Sequence, residues 1–298
     1  MKKTILITGA TKNTGLAIAR RFAADGWNVV ITSRDAAAAE AAAKSLFTNL
    51  HCHNCSQIAS ANGERGTGNG ERGGPGFVPA ALGLGMDPAK VEDIRAAFAA
   101  VKERFGRLDA FVNNAAHLGV GLSILNSTES DWNDVMNVNA RAAFFGAQEA
   151  VKLMERGGSI VFISSCHAAK SVPGRILYTT SKAALGGIVR SLAVELGPLG
   201  IRANAILAGA VRTDRWDGLT DEEVAARRAR WPAGKESSPD EIAAAVAFLC
   251  SDSAMTITGA EIPVDSGIGV CLLQYNKDWM QNDAYNVKYW EATKDTKK

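Results

Sequence analysis

The sequence predicts an α/β fold built as a doubly wound parallel sheet in a single domain. The first observation is a series of short apolar runs, typical of buried strands, at 5–8, 28–32, 81–84, 110–112, 159–164 and 202–207. The second is a series of amphipathic helical patterns between and after them, at 15–25, 36–45, 88–105, 129–154, 178–196 and 239–250. Strand–helix alternation of this length indicates parallel strands joined by right-handed helical crossovers.

A sheet of this kind binds its ligands beyond the carboxyl ends of the strands. We therefore expect one cleft to be formed by the loops that follow Thr8, Thr32, Asn113, Ser165 and Leu207. The domain that carries this cleft is expected to span 1–270.

Composition and charge exclude several classes of protein. The length of 298 residues does not settle the domain count, but 47% hydrophobic residues are enough for a substantial core. The formal charge of +2 provides no basic field for nucleic acid, so the predicted partner is a small molecule. Five cysteines, mostly far apart, suit free thiols in a reducing compartment. No apolar stretch approaches the roughly 18 residues that cross a bilayer, and we predict a soluble, cytoplasmic protein.

One predicted insertion, at 47–80, interrupts the alternation. Its second half holds seven glycines between Gly63 and Gly76 and is expected to be flexible. Its first half carries residue types that bind metals, namely His51, Cys52, His53 and Cys55. Only the two cysteines have a finger-like spacing, and no second ligand pair follows. We therefore favour a solvated insertion and predict no metal site.

Two later segments have open interpretations. The region 212–238 contains Trp216, Trp231 and many charges, and either forms a lid over the substrate or is a surface helix pair with two packing tryptophans. The tail at 271–298 carries five aromatic residues. It covers a neighbouring subunit, borders the active site or packs on its own domain.

The turn between the first strand and the first helix suits a dinucleotide. Its sequence, residues 8–15, is Thr-Gly-Ala-Thr-Lys-Asn-Thr-Gly. Glycine permits a tight turn and close backbone approach to a pyrophosphate, whose charge the helix N-terminus favours. By itself this pattern is a weak signal, because turns of this kind are common without ligands.

The end of the second strand indicates which dinucleotide is bound. An acidic residue there would accept a hydrogen bond from a ribose hydroxyl, whereas an arginine would hold a 2′-phosphate. The chain has Ser33 and Arg34 at this place, with Lys12 in the facing turn. Two cations and a hydroxyl favour a phosphate, although Asp35 weakens the argument. The sequence therefore favours NADP(H) over NAD(H).

A tyrosine and a lysine predict acid–base chemistry. Tyr178 and Lys182 are four residues apart on a predicted helix and project from the same face. An ammonium near a phenol favours the phenolate, so we expect Lys182 to lower the pKa of Tyr178. Ser165 ends a predicted strand thirteen residues earlier and could hydrogen-bond a substrate oxygen where charge develops.

Together these motifs resemble those of the short-chain dehydrogenase/reductase superfamily. Residues 8–15 resemble its TGxxxGxG motif, with Asn13 in place of the middle glycine; asparagine tolerates the left-handed backbone that this turn needs. Residues 113–116 resemble NNAG, 208–213 resemble PGxxxT, 178–182 match YxxxK and 258–267 resemble TGxxxxVDGG. The resemblance covers about 260 residues and implies a Rossmann fold.

The resemblance also implies roles for individual residues. The Ser–Tyr–Lys–Asn tetrad of the family would map to Ser165, Tyr178, Lys182 and Asn139, the asparagine supporting a water-mediated proton relay. Asp87 would contact the adenine, Asn113 would border the adenosine, and Val211 and Thr213 would hold the nicotinamide carboxamide. The predicted cofactor contacts are Gly9, Thr11, Lys12, Asn13, Thr14, Gly15, Ser33, Arg34, Asp87, Asn113, Ala115, Tyr178, Lys182, Gly209, Val211 and Thr213.

The expected activity is that of an NADP(H)-dependent oxidoreductase that interconverts a ketone or aldehyde and an alcohol. The alternatives are an NAD-linked polyol or sugar dehydrogenase and a nicotinamide-binding regulator without turnover. The resemblance further implies a homodimer or homotetramer. His117, His167 and Cys166 are interpreted as loop or packing residues. No chemistry is assigned to the acids of the predicted lid, Asp214, Asp217, Asp221, Glu222 and Glu223.

Overall fold

A computed structural model describes residues 2–48, 79–155 and 157–271 of the chain. The described residues form one seven-stranded sheet in which every neighbouring pair is parallel, in the order β3-β2-β1-β4-β5-β6-β7. The strands are β1 (Thr4–Ile7), β2 (Asn28–Ser33), β3 (Ala81–Gly85), β4 (Ala110–Asn113), β5 (Gly158–Ser165), β6 (Ile201–Ala208) and β7 (Glu261–Val264). The predicted doubly wound parallel sheet is confirmed.

Helices cover both faces of this sheet. They are α1 (Asn13–Ala24), α2 (Ala36–Thr48), α3 (Val91–Phe105), α4 (Glu129–Met136), α5 (Ala142–Leu153), α6 (Ile176–Leu196), α7 (Asp221–Arg228) and α8 (Pro239–Leu249). The sheet and its helices enclose two hydrophobic clusters. One packs α1, α2 and α8 against the sheet, through side chains such as Ile18 and Val246. The other packs α3, α5 and α6, through side chains such as Phe98 and Leu185.

The strand order reverses between β1 and β4, and this reversal positions the cleft. The chain builds outward from β1 to β2 and β3, and then returns to add β4 on the other side of β1. Crossovers therefore run to opposite faces on either side of this point, and the loops at the carboxyl ends of β1 and β4 separate. A crevice opens there.

The predicted helix at 129–154 is present as a continuous helical stretch from Glu129 to Leu153, but it contains a π-helical turn that was not predicted. Between α4 and α5 the residues Asn137–Arg141 form a π-helical turn. The wider turn places Asn139 in the interior, fully buried, where its amide bonds to backbone and side-chain partners. Periodicity does not reveal such a turn, because it inserts one residue without breaking the helix.

The predicted lid region contains α7 and two packed tryptophan rings. Trp216 and Trp231 are buried with ring centroids 5.9 Å apart, and the Trp216 indole donates to the Val211 carbonyl. Residues 213–215 of this region line the cleft described below.

Several predictions concern residues outside the described ranges. Residues 49–78 contain the His/Cys cluster and the glycine-rich stretch, and 272–298 contain the aromatic residues of the tail. Among the residues that the structure does describe, no helix is both long enough and apolar enough to span a membrane. Within the same part of the chain, no three His, Cys, Asp or Glu side chains form a cluster that could hold a metal ion.

Candidate active site

The turn after β1 is held in shape by the neighbouring strand. The Thr8 hydroxyl accepts hydrogen bonds from the backbone N–H groups of Asn114 and Ala115, at 2.9 and 3.0 Å. The Asn114 amide donates to the carbonyls of Thr8 and Gly9, both at 2.9 Å. A Cβ on Gly15 would lie 2.6 Å from the Ala10 Cα, so only glycine fits this packing. The turn is therefore preformed.

Asn13 has the left-handed backbone that its place in the turn requires. Its φ is 50°, a region that glycine and asparagine reach more easily than other residues. The turn therefore has the backbone conformation expected of it, although asparagine replaces the middle glycine of the motif. The Asn13 side chain pairs with Asp214, a residue to which sequence reasoning assigned no chemistry.

A cleft of about 670 Å³ opens at the strand-order reversal. Its lining brings together most of the predicted cofactor contacts: Gly9, Thr11, Lys12, Asn13, Thr14, Gly15, Ser33, Arg34, Ala115 and Thr213. Loops after β1, β2, β4 and β6 contribute to it, as does the segment after β3. The sequence-based expectation of one shared cleft holds for these loops.

The remaining predicted cofactor contacts lie beside this lining. Asp87 sits between two lining residues and its carboxylate accepts from the Ala89 N–H at 3.0 Å. Gly209 packs tightly on the residue after β7, because a Cβ there would lie 2.6 Å from the Asp265 Cα. Val211 forms a parallel bridge with Ser237. The loop after β6 is thereby fixed on its outer side.

Two buried polar atoms at strand ends have no hydrogen-bond partner among the residues that the structure describes. They are the Thr32 hydroxyl, at the end of β2 and in the cleft lining, and the Asn113 Nδ2, at the end of β4. Buried polar groups are usually satisfied, so unpaired groups at a cleft mark places where a polar ligand fits. The residues present suit a dinucleotide.

The end of the cleft at β2 carries the predicted phosphate site. Arg34 is exposed in the lining, beside Ser33. The Asp35 carboxylate caps the start of α2, where its Oδ1 accepts from the Ala38 N–H at 3.0 Å. Lys12 is not a free cation here, since its Nζ lies 2.7 Å from the Asp214 Oδ2.

Tyr178 and Ser165, the residues predicted to act on the substrate, lie next to each other but are not among the residues that line the cleft. The Ser165 hydroxyl is close enough to lower the pKa of the Tyr178 phenol, and it accepts from the His167 N–H at 3.2 Å. The His167 ring packs edge-on against Tyr178, with centroids 5.7 Å apart. The Arg175 guanidinium lies 5.9 Å from the same ring and donates to the Leu118 carbonyl.

The pKa of Tyr178 is raised, not lowered as expected from Lys182. Burial is the largest cause, and the hydrogen bond with Ser165 and the charges of Arg175 and Arg215 oppose it. The Lys182 amine lies 5.7 Å from the tyrosine ring centroid and donates instead to the Ile163 carbonyl, at 2.7 Å. Desolvation of the phenolate therefore outweighs the attraction that the spacing predicted.

Lys182 is one of the most buried charged groups in the described part of the chain. The residue is 2% exposed, and burial lowers the pKa of its amine from 10.5 to about 8. The one-turn spacing from Tyr178 predicts the shared helix face, and α6 provides it. A lysine in this position is close to exchanging protons near neutral pH.

Asn139 ties the loop after β4 to α6. Its Oδ1 accepts from the His117 N–H at 2.7 Å, and its Nδ2 donates to the His117 carbonyl and the Ser181 hydroxyl, both at 2.8 Å. Ser181 in turn donates to the Tyr178 carbonyl. The asparagine side chain thus holds the helix turn that carries the tyrosine.

Sequence reasoning missed Arg175, Arg215 and Asp214. Arg215 lines the cleft, and its charge acts on Tyr178 together with that of Arg175. Arg175 could have been found from its place three residues before Tyr178, at the N-cap of α6, whereas no local signal identifies the other two. Burial raises the pKa of the Cys166 thiol, in keeping with its interpretation as an inert residue.

Fold and site together define an α/β oxidoreductase with a dinucleotide cleft and a Ser–Tyr–Lys site. A family model described as short chain dehydrogenase matches residues 3–58, and one described as Enoyl-(Acyl carrier protein) reductase matches residues 75–269. The chain belongs to the short-chain dehydrogenase/reductase family, of the classical type.

Relatives and solved structures agree with this assignment. An L-rhamnose 1-dehydrogenase (NAD(P)(+)) of Azotobacter vinelandii is 34% identical over 275 residues, covering 91% of this chain and 98% of that protein. The 3-oxoacyl-(acyl-carrier-protein) reductase MabA of Mycobacterium tuberculosis is 31% identical, covering 91% and 94%. A short chain dehydrogenase of Burkholderia cenocepacia, solved in complex with NADP, is 32% identical with a TM-score of 0.74, covering 89% of this chain and 97% of that one.

Proposed function

We propose that the protein is an NADP(H)-dependent oxidoreductase that interconverts a ketone or aldehyde and an alcohol. The observation that carries the proposal is that the Ser165 hydroxyl, at the end of β5, lies beside the Tyr178 hydroxyl on α6, the helix that also holds the buried Lys182. Two hydroxyls that meet at one point can together bind a substrate oxygen. When bound, the nicotinamide supplies or accepts the hydride.

The residues then have distinct tasks. Ser165 orients the carbonyl oxygen and stabilises the charge that develops on it. Tyr178 gives its hydroxyl proton to that oxygen during reduction and takes it back during oxidation. Its raised pKa keeps the phenol protonated at neutral pH, the state that reduction needs. Lys182 is the buried amine from which the tyrosine proton is replenished, and Asn139 is a positioning residue that holds the helix turn between them.

The preference for NADP(H) rests on the lining at β2. Arg34 is the exposed cation in this part of the cleft, beside Ser33 and the unpaired Thr32 hydroxyl. Asp35 is used as a helix cap and does not take the place of an acid that accepts from a ribose hydroxyl. The relative solved with NADP adds support.

A second candidate is an NAD-linked polyol or sugar dehydrogenase. It is favoured by the pairing of Lys12 with Asp214, which leaves Arg34 as the main cation for a 2′-phosphate. It is also favoured by the similarity to a rhamnose dehydrogenase whose name includes both cofactors. A regulator without turnover has less support, because all four tetrad residues are present.

The decisive experiment measures turnover over a panel of sugars, quinones, steroids and acyl-linked ketones with both reduced cofactors, and of alcohols with both oxidised ones. We expect consumption of NADPH with at least one carbonyl and a higher kcat/KM with NADPH than with NADH. Tyr178→Phe should lower kcat by about 10²–10⁴ while leaving NADPH binding unchanged, because it removes only the transferred proton. Thr179→Val, which removes the next hydroxyl along α6, is the matched control. Cofactor binding without turnover of any substrate would overturn the proposal.

The proposal extends to location and assembly. We place the protein in the cytoplasm as a homodimer or homotetramer that acts on a diffusing small molecule, with 212–238 as the lid. Support for assembly comes from α5 and α6, where Phe144 and Val194 are exposed and Gly187 leaves room for close approach of a second helix. Sedimentation with and without NADPH tests the assembly.

A further inference from the structure

Asp214 joins two segments that lie about 200 residues apart in sequence. It follows Thr213 at the start of a short helical turn after β6. Its carboxylate contacts the Lys12 amine at 2.7 Å and the Asn13 amide at 3.0 Å, and its own N–H donates to the Asn13 Oδ1 at 3.3 Å. The hydrogen bonds with Lys12 and Asn13 hold the pKa of Asp214 below its ordinary value.

The contact is specific to the side chains of this chain. Asn13 occupies a left-handed position at which glycine would be the least strained residue. Both polar atoms of its amide are paired with Asp214, one with the carboxylate and one with the backbone. Glycine at this position would remove both bonds, so the replacement of the motif's middle glycine by Asn13 creates this contact with Asp214.

These three bonds cross the cleft. Lys12 and Asn13 line one wall, on the glycine-rich turn, and Thr213, Asp214 and Arg215 line the other. A pyrophosphate held by the turn and the start of α1 would lie beside this bridge. We propose that Asp214 is a latch that retains the bound dinucleotide, because release requires its bonds to Lys12 and Asn13 to break. The proposal rests on the cofactor-binding part of the proposed function and not on turnover.

The latch is expected to be modest in strength. The Lys12 and Asp214 side chains are 72% and 45% exposed, so their ion pair is screened by water and salt. The two hydrogen bonds to Asn13 add to it. From this combination we expect the latch to slow dissociation of the dinucleotide by about tenfold.

The test measures dissociation of NADPH directly. Wild-type protein loaded with NADPH is mixed with excess NADP⁺, and the loss of bound-nicotinamide fluorescence is followed by stopped flow. If the protein binds NADH more tightly than NADPH, the same experiment is done with NADH as the bound cofactor and NAD⁺ as the competitor. Asp214→Ala should dissociate about tenfold faster and Asn13→Gly by an intermediate factor, because the latter keeps the pair with Lys12. Asp240→Ala, which removes an exposed acid at the start of α8 and away from the cleft, should match the wild type.

Two further measurements keep the result unambiguous. Asp214→Asn is compared with Asp214→Ala, and thermal unfolding shows whether each variant is folded. The asparagine variant removes the ion pair with Lys12 but keeps a polar side chain. Its NADPH dissociation should therefore lose only the part of the slowing that depends on salt concentration. An unchanged dissociation rate in Asp214→Ala would overturn the latch. So would slower dissociation, which would mean that Asp214 competes with the cofactor phosphates for Lys12. A wild type that binds NADPH but reduces no carbonyl would refute the proposed function and leave this test intact.

Discussion

The burial of Lys182 should make the protein less stable at neutral pH than at alkaline pH. Burial lowers the pKa of the amine from 10.5 to about 8. A difference of about 2.5 pH units corresponds to a cost of about 3 kcal/mol to the free energy of unfolding at pH 7. Between pH 8 and 10.5 the unfolded chain binds this proton more tightly than the folded protein. The free energy of unfolding therefore rises with pH over this range. Below pH 8 the amine is protonated in both states, and the whole cost of about 3 kcal/mol applies.

Comparison with Lys182→Met isolates this contribution. We expect the wild type to gain about 2 kcal/mol relative to the variant between pH 7 and pH 9.5, from the linkage of the proton to unfolding. The absolute difference at pH 7 is smaller than the full cost, because the variant also loses the hydrogen bond to the Ile163 carbonyl, worth about 1–3 kcal/mol.

The assay is urea unfolding at several pH values, with linear extrapolation to water. Lys102→Met is the control, because it removes an exposed amine on α3, and its difference from the wild type should stay flat. A difference between wild type and Lys182→Met that does not change between pH 7 and pH 9.5 would refute the reasoning. The buried amine would then be neutral at pH 7 or hydrated in the folded state.

Three further predictions concern the cleft. Arg34→Asp should lower kcat/KM for NADPH by about tenfold or more and raise the relative preference for NADH, since a carboxylate repels the 2′-phosphate; an unchanged NADPH/NADH ratio contradicts the assigned role. Gly15→Ala should weaken NADPH binding measured by fluorescence titration, because its Cβ would meet the Ala10 Cα at 2.6 Å. Gly197→Ala, in the turn after α6, has open space around the added Cβ and should leave NADPH binding unchanged. Ser165→Ala should reduce kcat by about 10²–10³ with little change in the Kd of NADPH; equal losses in both would instead indicate a damaged fold.

Much of the fold is predictable because its signals are local. Strands buried on both faces appear as continuous apolar runs, and β1, β2 and β4 lie within one residue of their predicted ends. The helix that carries Tyr178 and Lys182 is set by a regular pattern, so their shared face follows from the spacing alone. The left-handed backbone at Asn13 is also a property of residue type and position in the turn.

The sequence by itself therefore determined the parallel sheet, most loops of the shared cleft and the helix face that Tyr178 and Lys182 share, since each depends on neighbours a few residues away. Only the tertiary structure decided how those side chains are tuned. Burial raises the pKa of Tyr178 although a lysine lies one turn along its helix. A π-helical turn buries Asn139, and Asp214 reaches Lys12 across about 200 residues. Desolvation and contacts between distant segments depend on how the layers pack, and neither leaves a periodic signal in the chain.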